Sequence, residues 1–265
     1  METGNVLLAF GLTLIAGLST GIGSILAFFT KRTNTKFLST ALGFSAGVMI
    51  YVSFMEMLPD AKANLISSFG ERWGTMYLLI AFFGGMGFIS FIDFLVPNGN
   101  NPHEIHRVEE LRNKKFKINK TGTIVALSIA IHNFPEGIAT FTSALNGLEV
   151  ALPITIAVAL HNIPEGIAVS VPIYHATGNK KKAFWYSFLS GMAEPVGALF
   201  GYLILMPYWT ESLNGFILAA VSGIMVFISI DELLPSAQKF GEHHLSIIGL
   251  IGGMMFMAIS LFMFI

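Results

Sequence analysis

Apolar residues along this chain come in long blocks, not in the one-sided stripes of a soluble helical bundle. Eight blocks, at about 5–28, 38–58, 73–96, 122–144, 151–174, 184–206, 214–234 and 246–264, each reach or approach the roughly 20 predominantly apolar residues that a helix needs to cross a bilayer. The pattern predicts an all-α integral membrane protein with eight transmembrane helices. The polar segments between blocks are short, except for 97–120, which is charged and rich in asparagine. No change of composition divides the chain, so residues 1–265 are expected to form a single polytopic membrane domain.

The charges orient these spans. Thirteen of the 15 Lys and Arg residues lie in the segments after spans one, three, five and seven, and only Lys62 and Arg72 lie in the others. Basic loops stay in the cytoplasm. Both termini are therefore expected on the extracytoplasmic side of a multi-pass protein in the cell (cytoplasmic) membrane. Met1-Glu2 offers no basic n-region, so the first block reads as a retained span and not as a cleaved signal. Composition agrees: 54% of the 265 residues are hydrophobic and 12% charged, with a net charge of −1. No basic run interleaved with aromatics suggests nucleic acid. The chain has no cysteine, which leaves oxygen and imidazole nitrogen as ligands for any metal.

Two repeats run through the pattern. Span two ends Gly47-Val48-Met49-Ile50…Ser53-Phe54-Met55-Glu56-Met57-Leu58-Pro59, and span seven ends Gly223-Ile224-Met225-Val226…Ser229-Ile230-Asp231-Glu232-Leu233-Leu234-Pro235, at a constant offset of 176. The phrase His132-Asn133-Phe134-Pro135-Glu136-Gly137 returns as His161-Asn162-Ile163-Pro164-Glu165-Gly166, at an offset of 29. In both cases the copies fall on oppositely directed spans. This predicts inverted repeats, with spans 1–3 related to spans 6–8 and span four to span five, the arrangement of many secondary transporters with a site near the midplane.

The twin phrases carry the chemistry. On a helix, His132 and Glu136 share a face, with Asn133 one step around, and His161, Asn162 and Glu165 repeat this. Pro135 and Pro164 are expected to kink their helices and free the carbonyls of Ile131 and Leu160. Span six adds Glu194, followed by Pro195. Three ionised, isolated carboxylates at this depth would cost on the order of 8–10 kcal/mol, and no Lys or Arg lies within a span to offset them. Protonation or a bound cation remains. Carboxylate, imidazole and amide oxygen suit Zn²⁺, Fe²⁺, Mn²⁺ and related divalent ions, and two Glu on adjacent helices can bridge two of them. A role as helix glue explains one buried His or Asn, but not seven coordinating residues in duplicate. Glu56, Asp93, Asp231 and Glu232, near span ends, are candidate pathway residues or interfacial acids. The pairs His103/His106 and His243/His244 read as solvated polar groups.

These residues resemble the ZIP (zinc/iron-regulated transporter-like) family, in its bacterial broad-specificity branch. HNFPEGIATF, ALHNIPEGIAV, SxMEMLP and SGIMVxxSxDELxP carry the resemblance over essentially the whole chain. It implies uptake of zinc and other divalent cations (Fe, Mn, Co, Cd) into the cytoplasm through a binuclear midplane centre. One site would use His132, Glu136, His161 and Glu165. The other would use Asn133, Glu136, Asn162, Glu165 and Glu194, with Glu136 and Glu165 bridging. It also implies that spans 1, 4, 5 and 6 move as a unit against the rest. The chain is thus expected to be a transporter and not an enzyme, with the metal as cargo and no catalytic cofactor. Its expected partners are divalent ions and lipid, with a homodimer as the candidate assembly. Two other readings are a passive divalent-metal channel and an intramembrane zinc hydrolase; the latter predicts one open metal site and no inverted repeat.

Overall fold

The computed structural model describes residues 3–28, 35–95, 118–145, 147–239 and 243–263, and every element among them is helical. In chain order these are α1 (Thr3–Ala27), α2 (Thr35–Val52), α3 (Leu58–Leu95), α4 (Ile118–Leu145), α5 (Leu148–Thr177), α6 (Lys180–Gly191), α7 (Ala193–Phe200), α8 (Glu211–Ile228), α9 (Leu234–Lys239) and α10 (His243–Phe262). Three π-helical turns, Ser53–Met57, Gly201–Leu205 and Ser229–Leu233, are spliced between them. His103 and His106 lie outside the described residues, while His243 and His244 open α10 as exposed side chains.

Among the described residues, six stretches are long and apolar enough to cross a membrane: Val6–Ile25, Lys36–Phe94, Ala151–Val171, Lys180–Tyr208, Glu211–Gln238 and His243–Phe262. The second, of 59 residues, is long enough for two crossings. It is divided at Gly70, whose φ of 77° and ψ of 166° belong to a region essentially reserved for glycine. The segment from Pro59 to Phe69, expected as loop, is helix. The π turn before it explains why: the Leu58 N–H reaches the carbonyl of Ser53, and the chain enters α3 with Pro59 in the first turn, where a missing N–H costs least. Leu234 and Ser229 repeat this ahead of Pro235.

The packing is inside out relative to a soluble bundle. On α1, Leu7, Leu14, Ile15, Leu18, Ile22 and Ile25 are exposed, while Thr13, Ser19, Thr20 and Ser24 are buried. On α10, Ile248, Ile251, Met255 and Ile259 face out and Ser246, Gly249, Gly253 and Ser260 face in. Helices whose apolar side faces outward and whose small polar residues meet inside are built for lipid, where helix contacts rely on close approach.

The helices pack in two groups. Helices α1, α4, α5, α6 and α7 pack on one another, and α2, α3, α8, α9 and α10 do likewise, with α2 against α5 the main contact between groups. Within the second group, side chains on Gly43 and Gly47 would strike the carbonyls of Ser246 and Leu250, one turn apart in the same sense, so α2 and α10 run parallel. The pair α3/α8 repeats the crossing. Gly47 abuts Leu250 and Gly253 abuts Phe44, just as Gly223 abuts Phe82 and Gly85 abuts Ala220. Gly47 and Gly223, like Phe44 and Ala220, are separated by the sequence offset of 176. In the first group, Gly166 abuts Thr20 and Gly23 abuts Ile163, just as Gly137 abuts Glu194 and Gly197 abuts Phe134.

Candidate metal centre

Three elements supply the polar interior: α4 carries His132, Asn133 and Glu136, α5 carries His161, Asn162 and Glu165, and α7 carries Glu194. A two-residue turn, Gly178-Asn179, folds α6 back along α5. Gly178 takes φ 66° and donates to the Tyr174 carbonyl, and the Asn179 side chain caps α6 by accepting from the Lys182 N–H. The helix then breaks at Met192, because Pro195 has no N–H to offer the carbonyl of Gly191. Glu194 therefore sits in the first turn of α7. By contrast, α4 and α5 continue through Pro135 and Pro164, so the distortion expected there breaks neither helix.

All seven predicted residues are buried, and Glu136, Glu165 and Glu194 are the only buried carboxylates among the described residues. No described Lys or Arg is buried with them. His132 Nε2 lies 3.2 Å from Glu136 Oε1 and 3.2 Å from Glu165 Oε1. His161 Nε2 lies 3.3 Å from each oxygen of Glu136. His132, His161 and Glu165 present ligand atoms within 4.8 Å of one another, close enough to hold one ion.

The amides are held by backbone. Asn133 donates to the Ser190 carbonyl at 3.2 Å, and Asn162 donates to the Ala16 carbonyl at 2.9 Å and also to the Glu194 carboxylate. With both NH₂ groups so engaged, Asn133 Oδ1 and Asn162 Oδ1 are left without hydrogen-bond partners. The same is true, among the described residues, of His132 Nδ1, His161 Nδ1, Glu165 Oε2 and Glu194 Oε2, whereas His132 Nε2 and Glu136 Oε1 have only each other and the neighbouring carboxylate and imidazole. Buried polar atoms are normally satisfied, so six unpartnered donor or acceptor atoms on these seven residues make the cluster a candidate ligand set. Its mixture of carboxylate, imidazole and amide oxygen is chemistry for a divalent cation.

The candidate pathway acids are elsewhere. Glu56, Asp93 and Glu232 are partly buried and Asp231 is exposed, with Glu56 on one π turn and Asp231 and Glu232 on its counterpart. Sequence reasoning missed Ala16 and Ser190, whose carbonyls hold the amides. It also missed Ser187, whose hydroxyl bonds the carbonyls of Thr20 and Gly166 and so ties α6 to α1 and α5. The spacing Gly17…Gly23 against Gly191…Gly197 was the available signal.

An outward apolar surface around a buried acid-and-imidazole cluster defines a multi-pass helical membrane protein with a polar interior. The chain belongs to the ZIP zinc transporter family, whose model matches residues 95–261. It is similar to the zinc transporter ZupT of Lysinibacillus sphaericus (strain C3-41), 61% identical over 263 residues, covering 97% of this chain and 98% of that protein. The zinc transporter ZupT of Clostridium perfringens (strain 13 / Type A) is 57% identical over 277 residues, at 98% and 97% coverage. That of Corynebacterium aurimucosum (strain ATCC 700975 / DSM 44827 / CIP 107346 / CN-1) is 53% identical over 266 residues, covering both chains fully.

Proposed function

We propose that this chain carries zinc and related divalent cations across the cytoplasmic membrane into the cell, binding them at the seven buried residues and exposing them to each side in turn. One observation carries the reading: the buried cluster contains three carboxylates, two imidazoles and six unpartnered polar atoms, with ligand atoms of His132, His161 and Glu165 within 4.8 Å of one another and no described Lys or Arg buried beside them. A divalent cation supplies the missing charge and the missing partners at once. His132, Glu136, His161 and Glu165 hold one ion, and Asn133, Asn162 and Glu194 complete a second with the bridging carboxylates of Glu136 and Glu165. Dense carboxylate offsets the dehydration of the ion, while neutral amide and imidazole ligands keep it loose enough to leave.

The topology belongs to the same proposal: eight spans, both termini extracytoplasmic, and inverted repeats relating spans 1–3 to 6–8 and span four to span five. The basic segments support the orientation. The parallel course of α2 and α10 supports the parity, since five intervening spans bring span eight back to the direction of span two. The paired crossings at offset 176 support the repeat. Alternating access then moves the group α1, α4, α5, α6 and α7 against the group containing α2, α3, α8 and α10.

Uptake of radioactive zinc into proteoliposomes tests this. Glu136→Ala and Glu165→Ala, each checked for a single folded species, should abolish the saturable uptake of the wild type. Uptake that survives in both variants would reduce the cluster to helix glue.

A further inference from the structure

The correspondence that relates α1 to α6 and α7 pairs Ala16 with Ser190, Gly17 with Gly191, Thr20 with Glu194 and Gly23 with Gly197, at a constant offset of 174. Hydrogen bonds obey it: Asn162 donates to Ala16 as Asn133 donates to Ser190. Close approaches obey it too, since Gly166 abuts Thr20 as Gly137 abuts Glu194. Glu194 is therefore one of two equivalent positions, and a threonine occupies the other.

The two halves differ in what fills these positions. On one side Asn162 reaches the Glu194 carboxylate. On the other, Asn133 Oδ1 and Thr20 Oγ1 are both buried without hydrogen-bond partners. The Thr20 hydroxyl lies against Gly191, where a Cβ would come within 2.7 Å of it, and Gly191 follows the Ser190 carbonyl that holds Asn133. A buried hydroxyl and a buried amide oxygen, held against the consecutive residues Gly191 and Ser190 and both unpartnered among the described residues, are costly unless something else uses them.

We propose that Thr20 sets how tightly the metal pocket holds its cargo, filling the second Glu194-like position with a neutral oxygen and so keeping the pocket one negative charge short of balancing two divalent cations. The inference rests on the reading of the seven buried residues as the cargo site. Three ionised carboxylates match one divalent ion and part of a second, so one ion is held and the other leaves readily. A carboxylate at position 20 would retain both and slow release.

The test measures zinc retained per chain after desalting, by atomic absorption, alongside KM and turnover for uptake in proteoliposomes. Aspartate is close to threonine in volume. Thr20→Asp should retain more zinc than wild type and lower both KM and turnover, each by on the order of tenfold for one added buried charge. Glu194→Thr should retain less. The double variant Thr20→Asp/Glu194→Thr, with the carboxylate moved to the mirrored seat, should recover the wild-type zinc content. A double variant that holds no more zinc than Glu194→Thr overturns the proposal, as does Thr20→Asp with unchanged zinc content and KM. Should the aspartate variants fail to fold, Thr20→Ser and Thr20→Val decide it. Serine should keep the wild-type KM and the isosteric valine should raise it; equal values in the two overturn the proposal. The parent reading fails on a separate result, wild-type zinc content in Glu136→Ala.

Discussion

Asn162 is the residue on which most of the pocket depends, because its one NH₂ group joins α5 to the backbone of α1 and to the carboxylate of Glu194. Replacing it with alanine removes both bonds and one free amide oxygen while leaving every carboxylate in place. Initial rates of zinc uptake by Asn162→Ala should fall by about 10–100-fold, the loss typical when groups that orient metal ligands are removed. Rates equal to wild type would mean the amide has no part in transport. The burial of all seven proposed ligands was legible in the sequence because His, Asn and Glu stand out in an apolar block and their helical spacing fixes a shared face. Ala16 and Ser190 were not, for a plain reason. They act through carbonyl oxygens, which every residue has, so their side chains leave no trace of the role.

Among the elements, helix contacts depend on glycine at a few crossings. At Gly47 and at Gly223, any side chain collides with the backbone of the neighbouring helix, at Leu250 and Phe82 respectively. Gly47→Ala and Gly223→Ala should each destabilise the protein by about 1–3 kcal/mol, the cost of overpacking a close contact. Gly84→Ala is the control: no described residue comes within 4 Å of a Cβ placed there, so it should be neutral or slightly stabilising. Thermal unfolding in detergent measures all three, and a Gly84 variant as unstable as the other two would refute the assignment. The existence of most spans was legible from hydropathy alone. The helix from Pro59 to Phe69 was not, because hydropathy registers polarity, whereas a π turn that carries a helix past a proline is a matter of hydrogen-bond register. The offset of 176 did mark where those π turns fall, although their geometry could not be read from it.

At the scale of the whole molecule, the absence of cysteine makes the proposed orientation simple to test. Lys62 and Lys181 are exposed, and the charge pattern puts them on opposite faces of the membrane. In intact cells a membrane-impermeant maleimide should label Lys62→Cys and spare Lys181→Cys until the membrane is opened; the reverse order would invert the topology. The paired crossings of α2/α10 and α3/α8, and of α1/α5 and α7/α4, also bear on the direction of flow. On the proposed inverted topology, an ion that enters from either face passes matched helix crossings, and nothing in the proposed cycle couples its movement to another source of energy. A binding site shifts an equilibrium only by its difference in affinity between states. Net import would then be set by the concentrations on the two sides, with cytosolic sinks for the metal providing the drive, and a vesicle loaded with zinc and placed in chelator should empty through the same carrier that fills it.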